Sequence, residues 1–174
     1  MEQLRREIQQ FRKKLLDWDG KELSVAFETV PNFKNKDHYP TDFQIFMEEI
    51  GELRIGCDGV HADAVHVLSV EAPMPICDVD KSKMLDPVYV QGDWPNQANL
   101  EDIMLVASDA WLQPYGFDTC STPYKFTTCE VHWELTDPYF DFDNFFPWLK
   151  TYLTFYFNDQ IAFGELSEYF SCYE

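Results

Sequence analysis

The middle of the chain, from Leu53 to Leu135, breaks into short runs of β-branched and aromatic residues separated by Gly, Pro, Asn and Asp. Such runs read as strands joined by turns. They fall at Leu53–Gly56, Val65–Val70, Val88–Val90, Ile103–Ser108, Tyr115–Asp118, Tyr124–Thr128 and Val131–Leu135. Glu71 to Pro87 holds three prolines and reads as a long connection. Many short strands in succession pair antiparallel, so the sheet is the frame on which the rest must pack.

Helical patterns flank this frame. Leu4, Ile8, Phe11 and Leu15 recur at helical spacing, with Arg5, Arg6, Arg12, Lys13 and Lys14 around them, which predicts an amphipathic helix over residues 2–17. Its cations form a solvated face or pair with the acidic remainder of the chain. Asp19-Gly20 is a turn signal that ends it. Residues 23–30 predict a short strand, and 32–38 a polar loop. Tyr39-Pro40-Thr41-Asp42 opens a second helix, with Thr41 as the expected N-cap, an apolar stripe of Phe43, Phe46, Met47 and Ile50, and Gly51 as its stop. Asp143 is placed to cap a third helix that tolerates Pro147 in its first turn and shows Phe146, Leu149, Tyr152, Leu153 and Tyr156 on one face. Residues 160–171 read as one more short helix. The expected architecture is α+β: one domain over 1–174, with an antiparallel-rich central sheet flanked by helices. Residues 1–19 form the N-terminal helix and 158–174 a helical extension.

A chain of 174 residues can hide roughly 70% of its unfolded surface, so such a core needs no disulfide or metal staple. Aromatic residues make up 17% of it, which argues against disorder. The five cysteines are an odd number without a CxxC pair. No secretory pattern opens the sequence, and no apolar run approaches the ~20 residues that span a membrane. Together these point to reduced thiols, packed as small hydrophobes, and to a cytoplasmic location.

Charge is the first functional clue. The formal net charge is −18, and only Lys125 and Lys150 are basic after residue 86. That field repels nucleic acid and anionic lipid and attracts a basic protein. It also favours solubility, with or without a partner.

Four segments stand in one order: Tyr39-Pro40-Thr41-Asp42-Phe43-Gln44-Ile45-Phe46-Met47 ending near Gly51; Met104-Leu105-Val106-Ala107-Ser108-Asp109-Ala110; Tyr115-Gly116-Phe117-Asp118-Thr119; and Asp143-Asn144-Phe145-Phe146-Pro147-Trp148-Leu149. This order resembles the SUKH superfamily, which includes yeast cell-wall synthesis regulators and many bacterial immunity proteins. The resemblance covers residues 20–157. Trp111 stands near where the family often has a glycine. What the resemblance implies is a SUKH fold and a binding role rather than catalysis. Bacterial members neutralise polymorphic toxins, many of them nucleases, which are basic where they grip phosphate. The alternative within the family is a non-toxin adaptor or regulator, for example of cell-wall synthesis.

Chemical constellations are thin. Cys57, His61, His66 and Cys77 include suitable zinc ligands, but their spacing matches no compact zinc pattern. Cys129 and His132 are close, yet on a strand they point to opposite sides, which leaves Glu130, His132 and Glu134 on one face. Glycines are too few and too scattered for a phosphate loop. No catalytic residue, metal or cofactor is assigned. The expected interface is acidic and aromatic. It centres on Asp137, Tyr139, Asp141 and Asp143, with Glu130 and Glu134 beside it and Asp93, Trp94, Asp109 and Trp111 as further contributors. Phe140, Phe142 and Phe145 read more readily as core. The expected partner is a basic protein, a toxin domain by the resemblance, with no nucleic acid and no membrane.

Overall fold

A computed structural model describes residues 1–19, 23–57, 63–68, 70, 74–75, 101–109, 114–128 and 144–155. Three helices are among them: α1 Glu2–Trp18, α2 Thr41–Glu49 and α3 Phe145–Phe155. A single 3-10 turn, Lys36–His38, precedes α2. The strands are β1 Leu23–Glu28, β2 Glu52–Cys57, β3 Asp63–Val67, β4 Met74–Pro75, β5 Ile103–Asp109, β6 Pro114–Asp118 and β7 Lys125–Thr128. They form one antiparallel sheet in the order β1-β2-β3-β5-β6-β7, with β4 pairing β5 where β3 has ended. The chain therefore has the α+β architecture that its alternating helical and strand patterns predict. The strands expected at Val88–Val90 and Val131–Leu135, and the helix at 160–171, lie outside the described residues.

Strand periodicity of two sorts the sheet into faces. Leu53 and Ile55 on β2, Val65 and Val67 on β3, Tyr115 and Phe117 on β6 and Phe126 on β7 are buried in one core with the helices. Onto this face α1 brings Ile8, Phe11 and Leu15, the stripe its sequence shows. α2 brings Phe43, Phe46 and Met47, and α3 brings Phe145, Phe146, Trp148, Leu149, Tyr152 and Leu153. Edge-to-face ring contacts knit the layers, including Phe43 on Phe117 at 4.9 Å and Phe11 on Phe146 at 5.5 Å. That geometry adds to area burial, by about 0.5–1.5 kcal/mol per pair.

The register of β5 slips between Leu105 and Ala107, so Val106 is an extra residue that enters the core beside Ala107. Past the slip, Ile103 and Leu105 face the other side of the sheet, where both are still buried. Gly116 sits on that second side between Tyr115 and Phe117. A Cβ there would lie 2.7 Å from Ile103 Cγ2, so the strands approach closely over this face.

Four expectations need correction. Thr41 is not the cap of α2: Pro40 holds the cap position, Thr41 is the first helical residue, and no side-chain cap bond is made. Proline fixes an extended backbone there, which starts the helix without a hydroxyl. The third strand ends at Val67 rather than Val70. The segment from Glu71 onward is not purely a connection, because Met74 and Pro75 pair with Leu105 and Met104. Proline is tolerated at this margin, where a ladder amide is not needed on both sides. Finally, Cys120 is not packed as a small hydrophobe but exposed.

Candidate interaction surface

The fold spends most of its described cations on itself. Arg5 of α1 reaches across to Glu48 and Glu49 of α2, Lys36 meets Glu48 at 2.7 Å, and Gln9 donates to Glu49 at 3.0 Å. Hydrogen bonds from Lys36 and Arg5 hold the Glu48 carboxyl below its usual range. Arg6 pairs with Glu2 one turn earlier. Arg12 lies 4.8 Å over the Phe27 ring, and Lys150 5.0 Å over Phe146. Of the two sequence alternatives for the α1 cations, internal pairing therefore accounts for Arg5, the residue that faces α2. These pairs are half in solvent and contribute less than about 1 kcal/mol each. The ion pairs cancel positive charge locally against carboxylates of the same chain, whereas Arg12 and Lys150 keep theirs over neutral rings.

Carboxylates remain in excess. Segments outside the described residues hold 16 of the 31 acidic residues and three of the 13 basic ones. Nine of the ten residues expected at the interface fall there: Asp137, Tyr139, Asp141, Asp143, Glu130, Glu134, Asp93, Trp94 and Trp111. Asp109 is the tenth and stands on β5 opposite Val65. His61, Cys77, Cys129 and His132 also lie outside the described residues, as does Asp143 as a helix cap.

Among the described residues, titratable groups that come together do so for packing. Asp42 is the clearest case. It is buried in the first turn of α2, and its Oδ2 accepts the N–H of Phe146 at 2.8 Å, 104 positions along the chain. It thus caps α3 from another helix and satisfies an amide that the first helical turn leaves open. Burial pushes its pKa above the ordinary 3.8, and backbone amides including those of Phe146, Phe43 and Phe145 pull it back in part. The sequence carries no local sign of this role. An acid in the first turn reads as a partner for its own helix dipole, and nothing nearby signals the distant amide.

Asp42→Ala is expected to lose about 1–3 kcal/mol, the cost of a buried unpaired amide. Asp42→Asn keeps an acceptor for Phe146 and should lose less. The folded pKa is raised, so the folded state binds the proton more tightly. The contribution of Asp42 is then largest in acid and falls as pH climbs from 3.8 through the folded value. Denaturant melts of wild type and Asp42→Asn across pH 3 to 7 are expected to show their stability difference moving in that direction. A difference independent of pH would show that Asp42 is not held in a desolvating site.

His66 carries the second polar cluster. On the face of the sheet away from the helices, Ala26, Arg54, His66 and Ser108 stand side by side across β1, β2, β3 and β5. Arg54 Nε donates to His66 Nε2 at 3.1 Å, and Glu52 Oε1 lies 3.5 Å from the same nitrogen. A ring nitrogen that accepts from a guanidinium carries no proton, which puts the proton on Nδ1. Of the residues considered from sequence as zinc ligands, Cys57 ends β2 and His66 stands on β3, while His61 and Cys77 lie outside the described residues. Nitrogen-15 NMR of His66 near pH 8 is expected to report the Nδ1–H tautomer, and Arg54→Ala to remove that preference.

The remaining clusters are similarly occupied. His38 Nδ1 lies 3.1 Å from Tyr124 Oη, while Tyr124 N–H donates to the His38 carbonyl at 2.6 Å. Burial pushes the neighbouring Tyr39 phenol up to about 12. The Cys120 thiol is pushed up by its hydrogen bond to Asp102, with Asp118 adding to it, the opposite of what activates a nucleophile. No group of His, Cys, Asp and Glu among the described residues is arranged to hold a metal ion. No described helix is long and apolar enough to cross a membrane.

These features define an α+β sheet protein whose described helices lie on one face of the sheet, with Asp42, His66 and the α1–α2 ion pairs engaged within the fold. No family model, curated protein or solved structure matches the chain.

Proposed function

We propose that this protein is an acidic protein-binding module that neutralises a basic partner, in the manner of the SUKH immunity proteins its motifs resemble, with a toxin domain of the nuclease kind as the target. The distribution of charge carries the reading. The net charge is −18; among the described cations, Arg5, Arg6 and Lys36 pair with Glu48, Glu49 and Glu2, and Arg12 and Lys150 lie over aromatic rings of the same chain. A field of that sign speeds encounter with a cationic surface, and carboxylates that pair with Arg or Lys on docking add specificity. Asp137, Asp141 and Asp143 are the proposed steering residues, and Tyr139 a proposed anchor. The second reading, a non-toxin adaptor of the same superfamily in the cytoplasm, shares the binding role and differs in its target.

The test begins with affinity capture from native lysate at low and moderate salt, and continues with the captured protein in purified form. A basic protein that is lost as salt rises is expected. Its association rate should fall, with a shallower salt dependence, when Asp137, Asp141 and Asp143 are replaced by Asn. Captured proteins without basic bias would favour the adaptor reading. A verified partner whose on-rate ignores the triple replacement would overturn the placement.

A further inference from the structure

Among the described residues, β1 ends the strand order, pairing with β2 on one side. In an antiparallel pair, successive residues turn their backbone groups alternately toward the partner and away from it. Val25 is a position that turns away, because its N–H donates to Asp19 Oδ1 at 2.9 Å. Leu23 and Phe27 are in phase with it. The run Leu23-Ser24-Val25-Ala26-Phe27-Glu28 has strand-forming residues, no proline and no lysine, and a single charge at its end. An edge of that kind is a template for pairing with another copy of the same strand. Asp19 sits where it can prevent this. It is the C-cap of α1, fixed by its own N–H to the Leu15 carbonyl at 3.1 Å, so the helix end holds its carboxylate against the middle of the edge.

We propose that Asp19 is an edge guard: its carboxylate occupies the central outward amide of β1 and prevents antiparallel β1-to-β1 pairing between two copies of the chain. The device is independent of the binding role above. Acidic repulsion between copies is diffuse and screened by salt, whereas this contact blocks one ladder position directly.

Light scattering at matched concentration tests it, with circular dichroism to confirm the fold. Asp19→Ala is expected to raise the weight-average mass about twofold or more over wild type, with the growth persisting in salt. Asp19→Asn keeps an acceptor oxygen and should stay at the wild-type mass. Adding Val25→Pro to Asp19→Ala removes the exposed amide at a position that makes no bond to β2, and should return the mass to the wild-type value. Unchanged mass in a folded Asp19→Ala, or growth that survives Val25→Pro, would overturn the proposal. If Asp19→Ala does not fold, amide exchange in wild type decides. Val25 is expected to exchange more slowly than Phe27, and equal rates would overturn the guard.

Discussion

Gly51→Ala is expected to lower the unfolding free energy by about 4 kcal/mol or more, a range reached only where strain and forced displacement combine. Gly51 follows α2 with φ of 80°, and its N–H closes the helix onto the Phe46 carbonyl at 3.0 Å. A left-handed backbone by itself costs an L-residue about 1–2 kcal/mol. Lack of space costs more. A Cβ at Gly51 would lie 1.8 Å from the Glu28 carbonyl oxygen and 2.6 Å from Thr29 Cα, both backbone atoms that no rotamer change can move. This is where the chain leaving β1 crosses the end of α2, tied there by Val30 N–H to the Met47 carbonyl at 2.8 Å. Asn separates the two causes, because it tolerates the left-handed region but brings the same Cβ. Thermal and denaturant melts should find Gly51→Asn nearly as damaged as Gly51→Ala. A mild Asn variant would mean that φ alone makes the position need glycine.

Phe145→Ala is expected to cost about 3–5 kcal/mol, the range for emptying a buried aromatic site. Phe145 is fully buried, with ring centroids 4.9 Å from Phe43, 4.9 Å from Phe46, 5.7 Å from Phe126 and 5.7 Å from Trp148. It thus joins α2, β7 and α3 at one point. The surrounding rings belong to different elements, so the cavity cannot collapse by moving one of them. Phe145→Leu retains most of the volume and should cost much less, under about 2 kcal/mol. Chemical denaturation of both variants checks the order. Equal losses would place the stabilisation in ring geometry rather than in filled volume.

What could be read in the sequence follows from how local each cause is. The stripe Leu4, Ile8, Phe11 and Leu15 is a property of one helix, and Ile8, Phe11 and Leu15 are fully buried. Alternation along Leu53, Arg54 and Ile55 is a property of one strand, and it sorts as expected into core and surface. Gly51 was legible as a stop because a helix end asks for a left-handed residue. The close approach of Glu28 that makes it indispensable was not, since it comes from another element. Asp42 is the same kind of case: its sequence neighbours place it on α2, and only the tertiary fold brings it to Phe146. The Val106 slip and the Met74–Pro75 pairing likewise depend on a partner strand. The candidate interface rests on charge and composition, which are summed over the chain; its geometry depends on which surfaces the fold brings together, and nine of its ten residues lie outside the described residues.

The contact between Asp42 and Phe146 also sets a timetable for synthesis. α1, β1, α2 and β2 are complete by residue 57, yet the rings that fill the core between α2 and β7 come from Phe145 to Leu153. A growing chain therefore carries Phe43, Phe46 and an unpaired carboxylate on α2 while the rest of the sheet is still being made. Contacts of such long sequence separation are late and slow to form. During that interval the half-built core is the exposed apolar surface on which a chaperone would act.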